Sequence, residues 1–246
     1  MGKALRHTVA AGGVGEVIGC VRCANNTSCL CHTANIASFS AVAGYSMSVW
    51  ANIEQSQPGL TEGRLLCVTG FDADTSTWPS ATTRGPELGV VPSGGSIKMM
   101  GAFIQNGGPV GSQFDYAENL GTWHNLMVTY AAGDVRTYVD GTLRSTCTGS
   151  HGPLLTNARL GLCCLMWLNQ QMISGGPIGR YANLAFWYRT LAASDVARVA
   201  ASIDYVPKNA DHRYNMSING GVIADVGTVG GWDFTTLSGF ENSVIE

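Results

Sequence analysis

Four cysteines near the start of the chain, Cys20, Cys23, Cys29 and Cys31, stand in a C-x2-C-x5-C-x-C run. Thiolates are soft ligands, and four around one ion make a structural zinc site, so this run is the first candidate metal centre. Its two pairs lie closer together than those of most zinc sites, which leaves free or disulfide-bonded cysteine as the alternative. A second candidate is Asp72 with Asp74, in the segment Asp72-Ala73-Asp74-Thr75-Ser76-Thr77-Trp78-Pro79. Carboxylates two residues apart in a loop can both face a hard cation such as calcium, although aspartate is equally an ordinary turn former. Tryptophan faces can stack on sugar rings, so Trp50, Trp78 and Trp187 are candidate carbohydrate contacts, with Trp78 in the loop the most accessible by pattern. The same side chains could instead fill an interface between sheets.

Acid–base chemistry has less support. Glycoside hydrolysis needs two carboxylates flanking one bond. The glutamates Glu16, Glu54, Glu62, Glu87, Glu118, Glu241 and Glu246 are scattered, and Glu118 alone has an acidic neighbour within four residues, Asp115. No Gly-x-Ser-x-Gly elbow, His-Glu-x-x-His motif or phosphate loop occurs. The sequence reading is therefore of a non-enzyme, with glycoside hydrolase as the lesser alternative.

Composition narrows the partners. The 246 residues carry a net charge of -3 and only 13% charged residues, with no block of like charge, so nothing resembles the basic footprint of a nucleic-acid binder. Apolar stretches fall well short of the roughly 18 residues that cross a bilayer. Gly12, Gly13, Gly15 and Glu16 break any apolar signal core, and no secretory signal or membrane insertion is expected.

These side chains need a scaffold, and the pattern is that of strands. In Tyr45-Ser46-Met47-Ser48-Val49-Trp50-Ala51-Asn52-Ile53 the odd positions are apolar, the period of a strand with one buried face, and Trp50 points away from its apolar neighbours. Further short runs over 64–71, 87–91, 97–105, 124–130, 135–139, 159–164 and 181–188 are separated by Gly, Pro, Asn and Asp turns. Cys67, Cys147, Cys163 and Cys164 lie in apolar runs and are expected in the core. Val196, Val199, Ala200 and Ile203 recur at helical spacing, which predicts one short helix over 192–203. Many short strands with one helix predict an all-β, two-sheet antiparallel sandwich. The expected division is an irregular Cys- and Gly-rich segment over 1–35, the sandwich over 36–205, and a strand-forming C-terminal extension over 206–246.

The order of motifs carries a resemblance. Gly121-Thr122-Trp123-His124-Asn125-Leu126-Met127-Val128-Thr129-Tyr130 leads through Gly133-Asp134 to Tyr138-Val139-Asp140-Gly141-Thr142-Leu143, then to Ala158-Arg159-Leu160-Gly161 and to the run Ile178–Leu191. This series resembles the concanavalin A-like lectin/glucanase superfamily, in its laminin G-like and pentraxin-like branch, over roughly 35–205. The resemblance implies a jelly-roll sandwich. It departs from the family at Asn183-Leu184-Ala185, where an acidic pair is usual, and at Ala192, where a capping Ser is common. Trp123 is read as an anchor between the sheets and His124 as a hydrogen-bonded packing residue. The segment Ala210–Gly227 resembles the strand and loop that normally begin such a domain, so it closes this sandwich or pairs with a neighbouring copy.

Two functions follow as expectations. The first is a non-catalytic structural or adhesive module on a larger assembly, most concretely a virion surface protein of a phage capsid or tail. Its partners would be protein chains, as a homo-oligomer or lattice, and it would be made in the cytoplasm and displayed on a particle or cell exterior. The second is a carbohydrate-binding, lectin-like domain. No cofactor is required by either, and calcium and zinc are the candidates.

Overall fold

The computed structural model describes residues 19–23, 29–31, 44–55, 63–69, 85–93, 96–105, 108–116, 120–131, 133–148, 159–166, 172–174, 177–216, 218–219, 222–230, 233–234, 236–238, 240–243 and 245. The strands among them are β1 (Cys20–Cys23), β2 (Cys29–Cys31), β3 (Tyr45–Gln55), β4 (Gly63–Thr69), β5 (Gly85–Ser93), β6 (Ser96–Gln105), β7 (Gly108–Asp115), β8 (Trp123–Ala131) and β9 (Asp134–Val139). They continue as β10 (Thr142–Thr148), β11 (Arg159–Leu162), β12 (Cys164–Met166), β13 (Met172–Ser174), β14 (Ile178–Trp187), β15 (His212–Tyr214), β16 (Thr236–Ser238) and β17 (Phe240–Ser243), with the helix α1 (Ala193–Val199) between β14 and β15.

Two antiparallel sheets make the sandwich. The larger runs β10-β9-β8-β3-β14-β1-β17, with β15 also on β14, and the smaller runs β16-β2-β11-β4-β5-β6-β7. The alternation in β3 is the cause of this layering. Tyr45, Met47, Val49, Ala51 and Ile53 are all fully buried in the core between the sheets, with Leu88, Val90, Met99, Leu126, Val128, Tyr181 and Phe186. Each Val, Leu, Ile, Met or Phe among them contributes roughly 1.5–3 kcal/mol by leaving water. The intervening Ser46, Ser48, Trp50 and Asn52 therefore face the other side of the larger sheet, termed here its outer face.

The hairpin of β9 and β10 turns on Asp140 and Gly141, whose φ values of 50° and 74° match the two positive angles of a type I′ turn. Helix α1 is shorter than the periodicity predicts. It buries Val196 and Val199, starts at Ala192 without a side-chain cap, and ends at Ala200. Ile203 lies beyond it in a turn, because Asn183 Nδ2 donates to the Ile203 and Tyr205 carbonyls at 3.0 and 2.5 Å and draws that segment onto the sheet. Asn183 itself sits at φ 46° in a bulge between Ala182 and Ala185, a conformation Asn tolerates better than most residues.

The chain's two ends both supply strands to the sandwich. The segment expected to be irregular contributes β1, paired on one side with β14 and on the other with β17, and β2, paired with β11 and β16. Cys20, Val21 and Cys23 are all buried, so β1 shows no alternation that would mark it as a strand. From the C-terminal extension, β15, β16 and β17 pair with β14, β2 and β1 of the same chain. Strands from all three segments thus share the same two sheets. Strand β7, which includes Asp115, pairs along β6.

Candidate functional site

The outer face of the larger sheet carries two tryptophan clusters. In one, Trp187 packs with Met127, Tyr138, Ala185, Leu191 and Ala210 beneath Val196 and Val199 of α1. Its Nε1–H donates to Asn209 Oδ1 at 3.5 Å. In the other, Trp50 packs with Cys20 and Ala182, and Trp123, Ile203 and Ile245 lie against them.

The second cluster is built on a repeated pattern, Trp50-x-Asn52 on β3 and Trp123-x-Asn125 on β8. The strands run antiparallel with Trp50 opposite Asn125 and Asn52 opposite Trp123. The four side chains therefore form a quartet, tryptophans on one diagonal and asparagines on the other, with corners roughly 5 Å apart across the strands and 7 Å along them. Asn52 and Asn125 are 5% and 0% exposed and Trp50 is 9% exposed. Asn125 Nδ2 donates to Ser48 Oγ at 2.9 Å. Yet Trp50 Nε1, Trp123 Nε1, Asn52 Oδ1 and Asn125 Oδ1 are all buried without a hydrogen-bond partner among the described residues. Each such group costs on the order of 1–3 kcal/mol. Two donors and two acceptors in one patch are a concentration of unused hydrogen-bonding capacity.

Ionic groups border the quartet along the same face. Glu54, two residues beyond Asn52, receives hydrogen bonds from Arg22 Nη2 at 2.8 Å and Arg180 Nε at 3.1 Å. The Arg22 hydrogen bond, with the charges of Arg22 and Arg180, holds the Glu54 carboxyl below the usual carboxylate range against the opposing effect of burial. Arg180 stands directly opposite Asn52. Its strand comes this close because residue 179 is glycine: a Cβ there would meet the Asn52 carbonyl oxygen at 2.4 Å.

The predicted site residues are distributed as follows. Trp50 does point to the outer face, but it is buried rather than open to solvent. Trp187 is fully buried because α1 covers it, so neither presents the bare indole face that sugar stacking requires. Trp78, Asp72 and Asp74 lie outside the described residues. Of the four cysteines, Cys20 and Cys23 part company on β1. Side chains three apart on a strand point to opposite faces, and Cys20 joins the outer cluster while Cys23 joins the core between the sheets. Cys29 and Cys31 belong to β2, in the other sheet. Burial pushes the Cys20 thiol up to about 11. Among the described residues no three His, Cys, Asp or Glu side chains group as a metal site. Trp123, read as an anchor between the sheets, lies on the outer face instead, since its register opposite Asn52 fixes its side.

Two imidazole–carboxylate lines also occur. His124 Nδ1 contacts Asp140 Oδ2 at 2.6 Å and its Nε2 contacts Thr122 Oγ1 at 2.7 Å, while Asn125 N–H donates to Asp140 Oδ1. This ties the β8 start to the β9–β10 turn. His212 Nδ1 contacts Asp225 Oδ2 at 2.5 Å and its Nε2 contacts the Tyr188 hydroxyl at 2.7 Å, with the His212 and Asp225 side chains fully buried. Burial opposes the charged form of Asp225, but hydrogen bonds from His212 and the Arg213 and Gly227 N–H groups outweigh it and hold the carboxyl below its ordinary value. This line fastens the C-terminal segment to β14.

Sequence reasoning missed Asn52, Asn125, Arg22, Arg180 and Glu54 as members of one site. A usable signal was present: Trp-x-Asn occurs on two strands, each time at the positions out of phase with the apolar face.

Comparison with known proteins places this geometry in context. A family model described as the concanavalin A-like lectin/glucanases superfamily matches residues 25–197. Among solved structures, a heptameric SAP-like pentraxin from Limulus polyphemus is similar at a TM-score of 0.61 and 11% identity, covering 95% of this chain and 97% of the pentraxin. A candidate carbohydrate-binding protein from Bacteroides ovatus is similar at a TM-score of 0.60 and 12% identity, covering 93% of this chain and 60% of that one. No curated protein sequence matches the chain.

Proposed function

The chain belongs to the concanavalin A-like lectin/glucanases superfamily, and on that premise we propose that it is a non-catalytic binding module with carbohydrate as its ligand class, carried on a larger assembly such as a virion surface. The observation that carries the binding reading is the outer-face row of indole, amide and guanidinium groups. Donors and acceptors fixed side by side on one face can hydrogen-bond the hydroxyls of a sugar. The carboxylate on that row does not suit the acid of a glycosidase: Glu54 is held ionised by two arginines, whereas that acid must keep a proton near neutral pH.

The assembly reading draws support from the low charge content, 13%, and from the pentraxin, which is itself heptameric. Self-association is accordingly part of the proposal. Native mass spectrometry with a glycan screen tests both parts. A symmetric oligomer and at least one glycan bound with millimolar or tighter affinity are expected. A monomer that binds no glycan, or one that releases reducing sugar from a bound glycan, would contradict them.

A further inference from the structure

We propose that the Trp50–Asn52–Trp123–Asn125 quartet is a closed binding site for one neutral, hydroxyl-rich ring of pyranose size, entered when Ile245 moves aside. This deepens the carbohydrate-binding reading and rests on it.

The ligand class follows from the four unused groups. Two indole N–H donors and two amide acceptors are buried on one patch of the outer face without partners among the described residues. A hydroxyl group both donates and accepts, so a polyol can answer all four corners, whereas a carboxylate or phosphate would leave both amide oxygens facing an acceptor. The backbone positions that carry the four side chains span roughly 5 by 7 Å, a patch about as wide as a single sugar ring. No charged side chain belongs to the quartet itself, and the nearest ones, Arg22, Arg180 and Glu54, bond to each other.

The cover is as informative as the floor. Ile203 and Ile245 lie against this cluster, and neither side chain can hydrogen-bond the polar groups beneath. Ile203 is held in place, because Asn183 binds its carbonyl. Ile245 instead lies beyond the last residue of β17, Ser243, and is only half-buried. Moving Ile245 exposes the quartet while leaving the β1–β17 pairing intact. The ring then exchanges an apolar cover for four hydrogen bonds.

The test uses the full chain labelled with 15N and reads the tryptophan indole resonances, with Trp50 and Trp123 assigned through Trp50→Phe and Trp123→Phe. The probes are methyl α-glucopyranoside, methyl β-galactopyranoside and N-acetylglucosamine, each to about 100 mM, within the weak range of single-ring binding. The expected result is a saturable shift of both indole signals with at least one probe. Ile245→Gly should tighten binding about threefold and Asn52→Leu should weaken it about tenfold. If Asn52→Leu does not fold, Trp123→Phe, which keeps an aromatic ring and deletes the N–H, should give the same weakening. Shifts elsewhere with both indoles unmoved, in the native chain and in Ile245→Gly, would overturn this site and leave the carbohydrate reading standing. The same holds if the site contains only water, seen as indole-to-water cross-peaks that no probe alters. An absence of any shift with any probe, together with an empty glycan screen, would overturn both.

Discussion

Two tryptophan clusters share the outer face of the larger sheet and have opposite characters. Around Trp187 the face is covered by an amphipathic helix and the indole N–H has a partner, so the cluster is a second core. Around Trp50 and Trp123, among the described residues, two isoleucines pack against the cluster and four of its polar atoms have no partner. Residue type does not distinguish the clusters; what lies over each one does. A buried aromatic whose polar handle is satisfied is explained by packing, while a group of unsatisfied handles at adjoining register positions is not explained by packing alone.

Substitutions can break or sharpen this contrast. The largest effect is expected at Trp187→Ala, which empties the space under α1 and should cost about 3–5 kcal/mol in chemical denaturation. A loss below about 1 kcal/mol would mean that the helix does not seal that half as described.

Next comes Asp225→Ala, which removes the partner of buried His212 and should cost roughly 1–3 kcal/mol. The pH dependence has a definite sign. The Asp225 carboxyl is held below its ordinary value of about 3.9, so its contribution is complete above that pH and is lost as pH falls through the lower folded-state value. Melting curves of the native chain should therefore drop more steeply below about pH 4 than those of Asp225→Asn. Parallel curves would remove Asp225 from the account.

A smaller effect, below about 1 kcal/mol, is expected for Glu54→Gln, because Glu54 and its two arginines are partly exposed to solvent. That variant should lose much of its difference from the native chain in high salt.

The smallest change in stability, within about 1 kcal/mol of zero and stabilising if anything, is expected for Asn52→Leu, since it replaces an unsatisfied buried acceptor with an apolar group of similar volume. The same substitution in a purely structural hydrogen-bonded position would be clearly destabilising, which separates the two halves of the face by sign.

Much of the fold is legible in the sequence. The β3 alternation, the Asp140–Gly141 hairpin and the Trp123-His124 strand order each express local chemistry that survives in the sandwich. The short end strands are not legible, because β1 is buried on both faces and has no period, and β2 is only three residues long. For the site, the sequence shows that Trp50 leaves the apolar face of its strand, but not what covers it. Burial of Trp187 depends on α1, which follows β14 in the chain, and burial of Trp50 depends on Ile203 and on Ile245, nearly 200 residues away. The quartet depends on register, since a one-residue slip of β3 against β8 would send all four groups to different neighbours.

The most direct test of the contrast is the hydrogen-exchange rate of the three indole N–H groups in one sample. The account predicts that Trp187 exchanges only on global unfolding, while Trp50 and Trp123 exchange faster through local opening at Ile245 and slow down when a sugar binds. Equal rates for all three, unchanged by Ile245→Gly, would contradict it.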